Sequence, residues 1–302
     1  MSQSSEPKKS KAQVFGARLF STLLLWGVVT GVFMSGNPWC YVALIILLGF
    51  FGVWEYFQMT ERGGLPSQPK WGLCLSVVYF LSLAYLLCTQ GHGGLDAVFG
   101  LDMLFILILV MGGFIMQLRR PVDGQKTVTE IAVTTLGFIY VTVSFSFLAR
   151  LLFLPDGGGS VPGAWLIIWL VVVTKFADMG AYITGSLIGK HKMIPHISPG
   201  KTWQGFFGAL GFSLLAGCGL FAILPEPLSI LGNWGWVIGL SLLLSILAIV
   251  GDLAESVLKR SINVKDSGNT LPGIGGALDL IDSICFTAPV LFFILRYLPV
   301  SL

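Results

Sequence analysis

The sequence predicts an all-α polytopic membrane protein of about nine transmembrane helices, with the N-terminus in the cytoplasm and the C-terminus outside. Three observations predict this class. Hydrophobic residues make up 55% of the 302 residues and charged residues only 11%, a composition typical of a chain dissolved in lipid. Apolar runs long enough to cross about 30 Å of hydrocarbon recur along the chain. Basic residues collect in alternate connections between these runs.

The apolar runs are expected to form the spanning helices. In chain order they cover 15 to 34, 39 to 59, 71 to 88, 99 to 117, 128 to 153, 163 to 187, 203 to 224, 231 to 257 and 283 to 299. Basic residues precede the first run, as they do in a secretory signal. This run is too long for a signal and no small-residue cleavage pattern follows it, so we predict a retained span.

The orientation follows from the basic residues, because lysine and arginine translocate poorly and remain in the cytoplasm. With a cytoplasmic N-terminus, fifteen of the 18 basic residues lie on the cytoplasmic side. Arg150 and Arg296 lie outside, and Lys175 lies within a span. We therefore expect a multi-pass protein of the cell (inner) membrane.

The chain divides into three parts, of which the third carries the candidate site residues. Residues 1 to 14 form a cytoplasmic basic leader, residues 15 to 155 an N-terminal transmembrane scaffold, and residues 156 to 302 a C-terminal transmembrane catalytic region. The scaffold has few ionisable groups within the hydrocarbon. The exception is Glu55, near the cytoplasmic end of the second run, which is interpreted as an interfacial carboxylate that reaches water.

The sixth run carries a charged pair. Lys175 and Asp178 are three residues apart and share one helical face. Gly180, Ala181 and Gly185 thin the same helix, and small residues let another helix or a ligand approach the backbone. Alone, the pair would be a self-neutralised packing contact, but further charged residues follow.

The eighth and ninth runs add acids at helical spacing. Asp252 and Lys259 lie along one stripe of "VGDLAESVLKRSIN", which is expected to continue as a helix towards the cytoplasm. The partner of the acid on this stripe is either Lys259 itself or a metal. Asp279 and Asp282 in "GALDLIDS" face one way on a helix. Two carboxylates on one face can hold a magnesium ion that also takes phosphate oxygens from a substrate.

Two polar connections, "GKHKMIPHISPGKTWQG" and "KDSGNTLPGIGG", combine lysines with glycine and proline. Glycine allows backbone N–H groups to converge on an anion, and lysine adds positive charge for a polyphosphate. Neither connection matches a P-loop. Carboxylates for a divalent cation and lysines for phosphates suit metal-assisted phosphoryl or nucleotidyl transfer on a lipid, with the nucleotide arriving from the cytosol.

Two long motifs in this region resemble those of a known family. Residues 256 to 283, "SVLKRSINVKDSGNTLPGIGGALDLIDS", closely resemble the signature of the phosphatidate cytidylyltransferase family, and residues 178 to 205 resemble its second block. The resemblance is specific over residues 174 to 290. It implies that CTP and phosphatidate give CDP-diacylglycerol and pyrophosphate at the cytoplasmic face, an early step of phospholipid biosynthesis. A phosphate oxygen of phosphatidate would attack the α-phosphorus of CTP.

The resemblance also implies roles for individual residues. The catalytic residues are Asp252, Asp279 and Lys259, and the metal ligands are Asp252 and Asp279 with Asp282 beside them. Asp178 is a secondary candidate that faces the same cavity. The substrate-binding residues are Ser198, Lys201, Thr202, Arg260 and Lys265. The implied cofactor is Mg²⁺, with room for a second cation, and the implied partners are the two substrates and no nucleic acid. A homodimer is expected from the family alone.

Three positions depart from the family pattern. Ile274 stands where the signature usually has histidine, Leu280 where it has arginine, and Gln204 where the second block usually has glutamate. The acids are intact. We therefore expect a divergent subgroup with working metal chemistry, and changed substrate handling is the alternative reading of the lost histidine and arginine.

Other functions fit the sequence less well. A CTP-dependent lipid kinase of the polyprenol or phytol type would also be a membrane helix bundle with a cytoplasmic nucleotide site, but the complete signature favours the cytidylyltransferase. A CDP-alcohol phosphotransferase needs a longer aspartate array. An ion-coupled transporter predicts an internal repeat and charges deep in both halves, and the sequence shows neither. A non-catalytic scaffold leaves the cost of burying Asp178 and Asp252 unexplained.

Overall fold

The computed structural model describes residues 27–154, 163–268, 270 and 275–298, so the basic leader and most of the first apolar run lie outside the described residues. Its helices are 27–35 (α1), Pro38–Arg62 (α2), Pro69–Gln90 (α3), Gly94–Gln117 (α4), Gly124–Gly137 (α5), Ser144–Leu152 (α6), Gly163–Ile188 (α7), Trp203–Ile223 (α8), Trp234–Ser261 (α9) and Ala277–Tyr297 (α10). A π-helical turn, Phe138–Val143, joins α5 and α6 into one continuous helix, and 3₁₀ turns lie at Gly91–Gly93 and Ser229–Leu231.

Within the described residues, seven helical segments are long and apolar enough to cross a membrane. One of them, Pro69–Gln117, is broken at Gly91–Gly93 and contains both α3 and α4. Trp71 Nε1 near the start of α3 donates to the carbonyl of Leu109 near the end of α4, at 3.1 Å, so the two helices form an antiparallel hairpin. The all-α polytopic class is confirmed.

Local sequence sets where several helices begin. Asn37 precedes α2 and its side chain accepts from Trp39 N at 3.0 Å, while Pro38 occupies the first helical position. Asn233 precedes α9 and accepts from Gly235 N at 2.9 Å. These are N-caps, which satisfy amide groups that the helix itself leaves unpaired.

A small antiparallel hairpin interrupts the helices between α7 and α8. Its strands are Lys192–Ile194 (β1) and Ser198–Thr202 (β2), paired Lys192 with Thr202 and Ile194 with Ser198. The polar connection expected here contains this hairpin, which the sequence pattern did not predict. It places β2 directly before α8.

The second half is held together by close packing of α7 on α8 and of α10 on α9, while α10 also packs on α2 and α6 of the first half. Glycines permit the closest approach of α7 and α8. A Cβ added at Gly180 would lie 2.6 Å from the carbonyl oxygen of Gly208 and 2.7 Å from Cβ of Phe212. The thinning predicted for this helix from its small residues is therefore confirmed at Gly180.

We expect Gly180→Ala to destabilise the fold by about 1–3 kcal/mol, the usual cost of overpacking. The added methyl group meets the backbone of α8, which cannot move aside as a flexible side chain can. The matched control is Gly211→Ala on α8, where a Cβ meets nothing within 4 Å and should be neutral or slightly stabilising. Thermal unfolding in detergent measures both, and equal midpoints would contradict the prediction.

The first half contains a buried ion pair. Arg150 on α6 is 0% exposed and donates to both carboxylate oxygens of Asp102 on α4, at 2.7 and 2.9 Å. It also donates to Tyr79 Oη at 2.8 Å and to Ser146 Oγ at 2.9 Å, and its guanidinium lies 4.0 Å from the ring centre of Phe147. The side chain of Arg150 points into the bundle and finds its counter-ion there.

Candidate active site

The acids and bases of the second half gather at one end of the bundle, where α9 ends and α10 begins. The first contact joins α9 to the hairpin, since Lys201 Nζ on β2 lies 2.7 Å from Asp252 Oδ2. Both side chains remain partly exposed, at 24% and 33%. The partner of Asp252 is therefore Lys201 rather than Lys259, the candidate on its own helix.

A second contact joins α9 to α10. Lys259 Nζ lies 3.2 Å from Glu255 Oε2 on its own helix and 2.9 Å from Asp279 Oδ1 on α10. Glu255 is 1% exposed, and its other oxygen, Oε1, has no hydrogen-bond partner among the described residues. The Asp279 side chain is 38% exposed. Lys259 thus sits between a buried acid and an accessible one.

A third cluster lies between α7 and α10. Lys175 Nζ is 3.5 Å from Asp178 Oδ2, which confirms that the two share a helical face, and it donates to the carbonyl of Leu280 at 3.2 Å. Asp282 is only 3% exposed and accepts from its neighbour Ser283 Oγ at 3.0 Å. It lies within electrostatic reach of Lys175, Asp178 and Asp252. The carboxylates of α7, α9 and α10 therefore surround one region.

A cavity of about 310 Å³ opens beside these carboxylates, between α7, the hairpin and α8. It is lined by Asp178, Ala181, Tyr182, Gly185, Ser186, Met193, Ser198, Gly200, Lys201, Thr202, Gly205, Phe206 and Ile249. Three predicted substrate-binding residues, Ser198, Lys201 and Thr202, thus share one cavity with Asp178. The Thr202 hydroxyl also caps α8, because it accepts from Gly205 N at 3.1 Å.

The other two predicted substrate-binding residues lie further along the same surface. Arg260 is exposed at the end of α9, and its Nε lies 3.5 Å from the carbonyl of Ile197 in the hairpin turn. Lys265 is exposed beyond the end of α9. Asn263, between them, has a φ of 55°, which ends the helix. Neither cation is paired with an acid among the described residues.

The structure accounts for two of the three departures from the family pattern. Gln204 Oε1 accepts from Lys190 N and His191 N, both at 3.2 Å, and its amide nitrogen lies 2.9 Å from His191 Nδ1. The side chain therefore fixes the entry to the hairpin. Leu280 packs at the edge of the hydrophobic core. Ile274 lies outside the described residues.

Glu55 belongs to this region, although sequence reasoning did not place it there. It is 0% exposed, so the prediction that it reaches water at the interface is wrong. Its oxygens accept from Thr270 N at 3.0 Å and from Leu278 N at 2.8 Å, in the signature segment. The signal was present in the sequence, since an acid inside an apolar run is a functional candidate by default.

The donor set suits magnesium chemically. Carboxylate oxygens are the side-chain ligands that Mg²⁺ prefers, and the ion usually takes only one or two of them and completes its shell with water and substrate phosphates. Among the described residues, no group of three or more His, Cys, Asp or Glu side chains is arranged to hold a metal by itself. The carboxylates with the unpartnered Glu255 Oε1 therefore fit an ion shared with a phosphate substrate.

The helices define the class of polytopic membrane proteins, and the charged cluster gives this one a site suited to anionic ligands. A family model described as the cytidylyltransferase family matches residues 16–298. The chain is 34% identical to a phosphatidate cytidylyltransferase of Synechocystis sp., over 94% of each chain. It is 31% identical to one of Bacillus subtilis, over 84% of this chain and 88% of the relative, and 31% identical to "Uncharacterized protein YnbB" of Escherichia coli, over 90% and 85%.

The chain belongs to the cytidylyltransferase family. It is thus an enzyme, a nucleotidyltransferase, and a multi-pass membrane protein. The family predicted from the two motifs is confirmed.

Proposed function

We propose that this protein transfers CMP from CTP to phosphatidate, giving CDP-diacylglycerol and pyrophosphate. The observation that carries the proposal is the pairing of two lysines with two acids, Lys201 at the cavity with Asp252, and Lys259 with Asp279, in a chain of the cytidylyltransferase family. Relatives named phosphatidate cytidylyltransferase supply the lipid substrate class.

The proposed reaction forms one bond and breaks one bond. A phosphate oxygen of phosphatidate forms a bond to the α-phosphorus of CTP, and the bond from that phosphorus to the bridging oxygen of the β-phosphate breaks. Pyrophosphate leaves with the electron pair. The attacking phosphate is already charged, so catalysis depends on positioning and charge neutralisation more than on a general base.

Each group in the site has a role in this step. Lys201 lines the cavity and binds phosphate oxygens of CTP, with Ser198 and Thr202 beside it. Lys259 neutralises charge that develops on the transferred phosphoryl group. Arg260 and Lys265 lie at the exposed rim, where they attract the anionic substrates.

Mg²⁺ is the proposed cofactor, with Asp252, Asp279 and Asp282 as its ligands and Asp178 as a further acid at the cavity. When bound there, the ion neutralises the polyphosphate and orients it. Asp282 is buried and Asp279 is accessible. This arrangement supports an ion that is held from the protein interior by one ligand and from the substrate side by the other. A second cation is part of the proposal.

The proposed topology has nine spans, a cytoplasmic N-terminus and an active site at the cytoplasmic face of the cell (inner) membrane. The exposed Arg260 and Lys265 at the site end of α9 and α10 support this orientation, because basic residues collect in the cytoplasm. A homodimer remains a proposal from the family alone.

Two alternative functions make different predictions. A CTP-dependent lipid kinase would transfer the γ-phosphate to an alcohol. The transporter alternative expected charges deep in both halves, and the buried Asp102–Arg150 pair supplies such charges in the first half. That pair is self-neutralised, however, and membership of the cytidylyltransferase family favours group transfer over transport.

Labelled CTP separates these functions. Purified protein in detergent is given phosphatidate, a polyprenol, Mg²⁺ and CTP labelled at either the α- or the γ-phosphate. We expect label from the α-position in CDP-diacylglycerol, label from the γ-position in pyrophosphate, and loss of both when EDTA removes the metal. Label from the γ-position in a lipid alcohol would replace the proposal with a kinase. Folded protein that yields neither product would refute both.

A further inference from the structure

Glu55 connects the first half of the chain to two points of the signature segment (residues 256 to 283), Thr270 and Leu278. Its Oε1 accepts from the amide of Thr270, at 3.0 Å, and from the hydroxyl of the same residue. Its Oε2 accepts from the amide of Leu278, at 2.8 Å. One buried carboxylate therefore holds the segment before α10 and the first turn of α10 at a fixed separation.

The contact with Leu278 determines how the catalytic acid is presented. Leu278 is the second residue of α10 and Asp279 is the third. Asp279 Oδ2 accepts from Gly276 N at 3.3 Å, while its Oδ1 accepts from Lys259. Two carboxylates thus satisfy the amides at the start of α10, where negative charge is stabilised by the helix dipole. Moving Glu55 would move the turn that carries Asp279.

Two glycines of the signature segment leave room for this carboxylate. A Cβ at Gly276 would lie 2.7 Å from Glu55 Oε2 and 2.8 Å from Asp279 Oδ2, and a Cβ at Gly268 would also collide with Glu55. Real Cβ atoms do not approach that closely, so the backbone contacts Glu55 directly only because these residues are glycine. Gly268 and Gly276 therefore leave the space that the carboxylate occupies.

A second side chain of α2 supports the same segment. Arg62, two turns after Glu55, donates through Nη2 to the carbonyl of Ser267. Glu55 accepts hydrogen bonds from backbone amides, and Arg62 donates one to a backbone carbonyl. Side chains of α2 therefore bind both donor and acceptor groups of this backbone. The remaining ionisable residue in this part of α2, Glu61, is exposed.

We propose that Glu55 is a positioning residue that fixes Asp279 for the metal and the phosphate substrate. The inference rests on the proposed function, because it assigns Asp279 to the metal. Glu55 is too deeply buried to contact substrate, and it acts through the backbone of the signature segment.

The test uses Glu55→Gln in full-length protein in detergent. Glutamine keeps the size of the side chain, but its amide group faces Thr270 N or Leu278 N as a second donor and cannot accept from it. We expect the Mg²⁺ concentration for half-maximal CMP transfer to rise about 10- to 100-fold, the usual effect of disturbing a group that orients a metal ligand. Hydrogen exchange of a peptide spanning residues 264–281 should accelerate without added metal.

Two further variants complete the test. Thr270→Val removes one hydroxyl donor to Glu55 and should change both readouts in the same direction by less. Tyr56→Phe removes a buried hydrogen bond from the neighbouring residue of α2 to Val133 O, so it lowers stability while leaving both readouts at their wild-type values.

The outcomes separate this inference from the proposed function. Wild-type exchange rates and metal dependence in folded Glu55→Gln would overturn the inference, as would equal changes in Tyr56→Phe. Wild-type protein without CMP transfer would refute the proposed function, and the exchange measurement would still decide whether Glu55 fixes the segment. Should Glu55→Gln fail to fold, wild-type values for both readouts in Thr270→Val would overturn the inference.

Discussion

Asp279→Asn is expected to lower CMP transfer from CTP to phosphatidate by about 100- to 1,000-fold, the range for removing one charge-stabilising group from an active site. Asparagine retains a side-chain oxygen that can accept from Gly276 N, so the start of α10 keeps its cap. It loses the charge that pairs with Lys259 and would bind the metal. The label-transfer assay at saturating Mg²⁺ measures the effect.

The control for this variant is Asp96→Asn on α4, whose partner Arg296 lies at the other end of α10. Asp96 also accepts from a basic residue, Arg296, at 3.0 Å, but it lies a whole helix away from the site. We expect unchanged transfer in Asp96→Asn. An Asp279→Asn protein with more than about a tenth of wild-type activity would remove Asp279 from the metal site, because one lost metal ligand costs more than that.

Arg150→Met is expected to be the most destabilising single substitution in the first half, at about 3–5 kcal/mol, because it leaves Asp102 buried without its counter-ion. Among the described residues, only the hydroxyl of Tyr79 would still donate to that carboxylate. The thermal midpoint in detergent should fall sharply. Metal dependence at low temperature should stay normal, since the pair makes no contact with the site.

The double variant Arg150→Met with Asp102→Asn separates charge from packing. It removes both charges together, so we expect it to recover most of the stability lost in Arg150→Met. A double variant less stable than Arg150→Met alone would show that the two side chains contribute through packing and hydrogen bonds rather than as an ion pair.

Features encoded within one helix were predictable from the sequence. Spacing alone placed Lys175 and Asp178 on one face, and the structure confirms the pair. The continuation of the eighth run as a helix is also confirmed, because α9 ends at Ser261, beyond the apolar residues. These features depend on helical geometry, which is the same whatever the neighbours are.

Features that depend on which helices pack together were not predictable. Asp252 pairs with Lys201, 51 positions earlier, and Glu55 meets Leu278 across 223 positions. Arg150 stands at the end of an apolar run, and its counter-ion, Asp102, lies on a different helix. The hairpin was missed because its strands have only three and five residues, too few for a periodic pattern.

The place of α10 in the bundle has a consequence for biosynthesis. The ribosome makes α10 after α2, α6 and α9, yet α10 packs against all three. Until it inserts, Glu55 lacks the donor at Leu278 and Lys259 lacks Asp279. A nascent chain stopped before α10 therefore leaves the Glu55 carboxylate without its Leu278 donor and lacks Asp279, so the site is complete only after α10 has packed against the earlier helices.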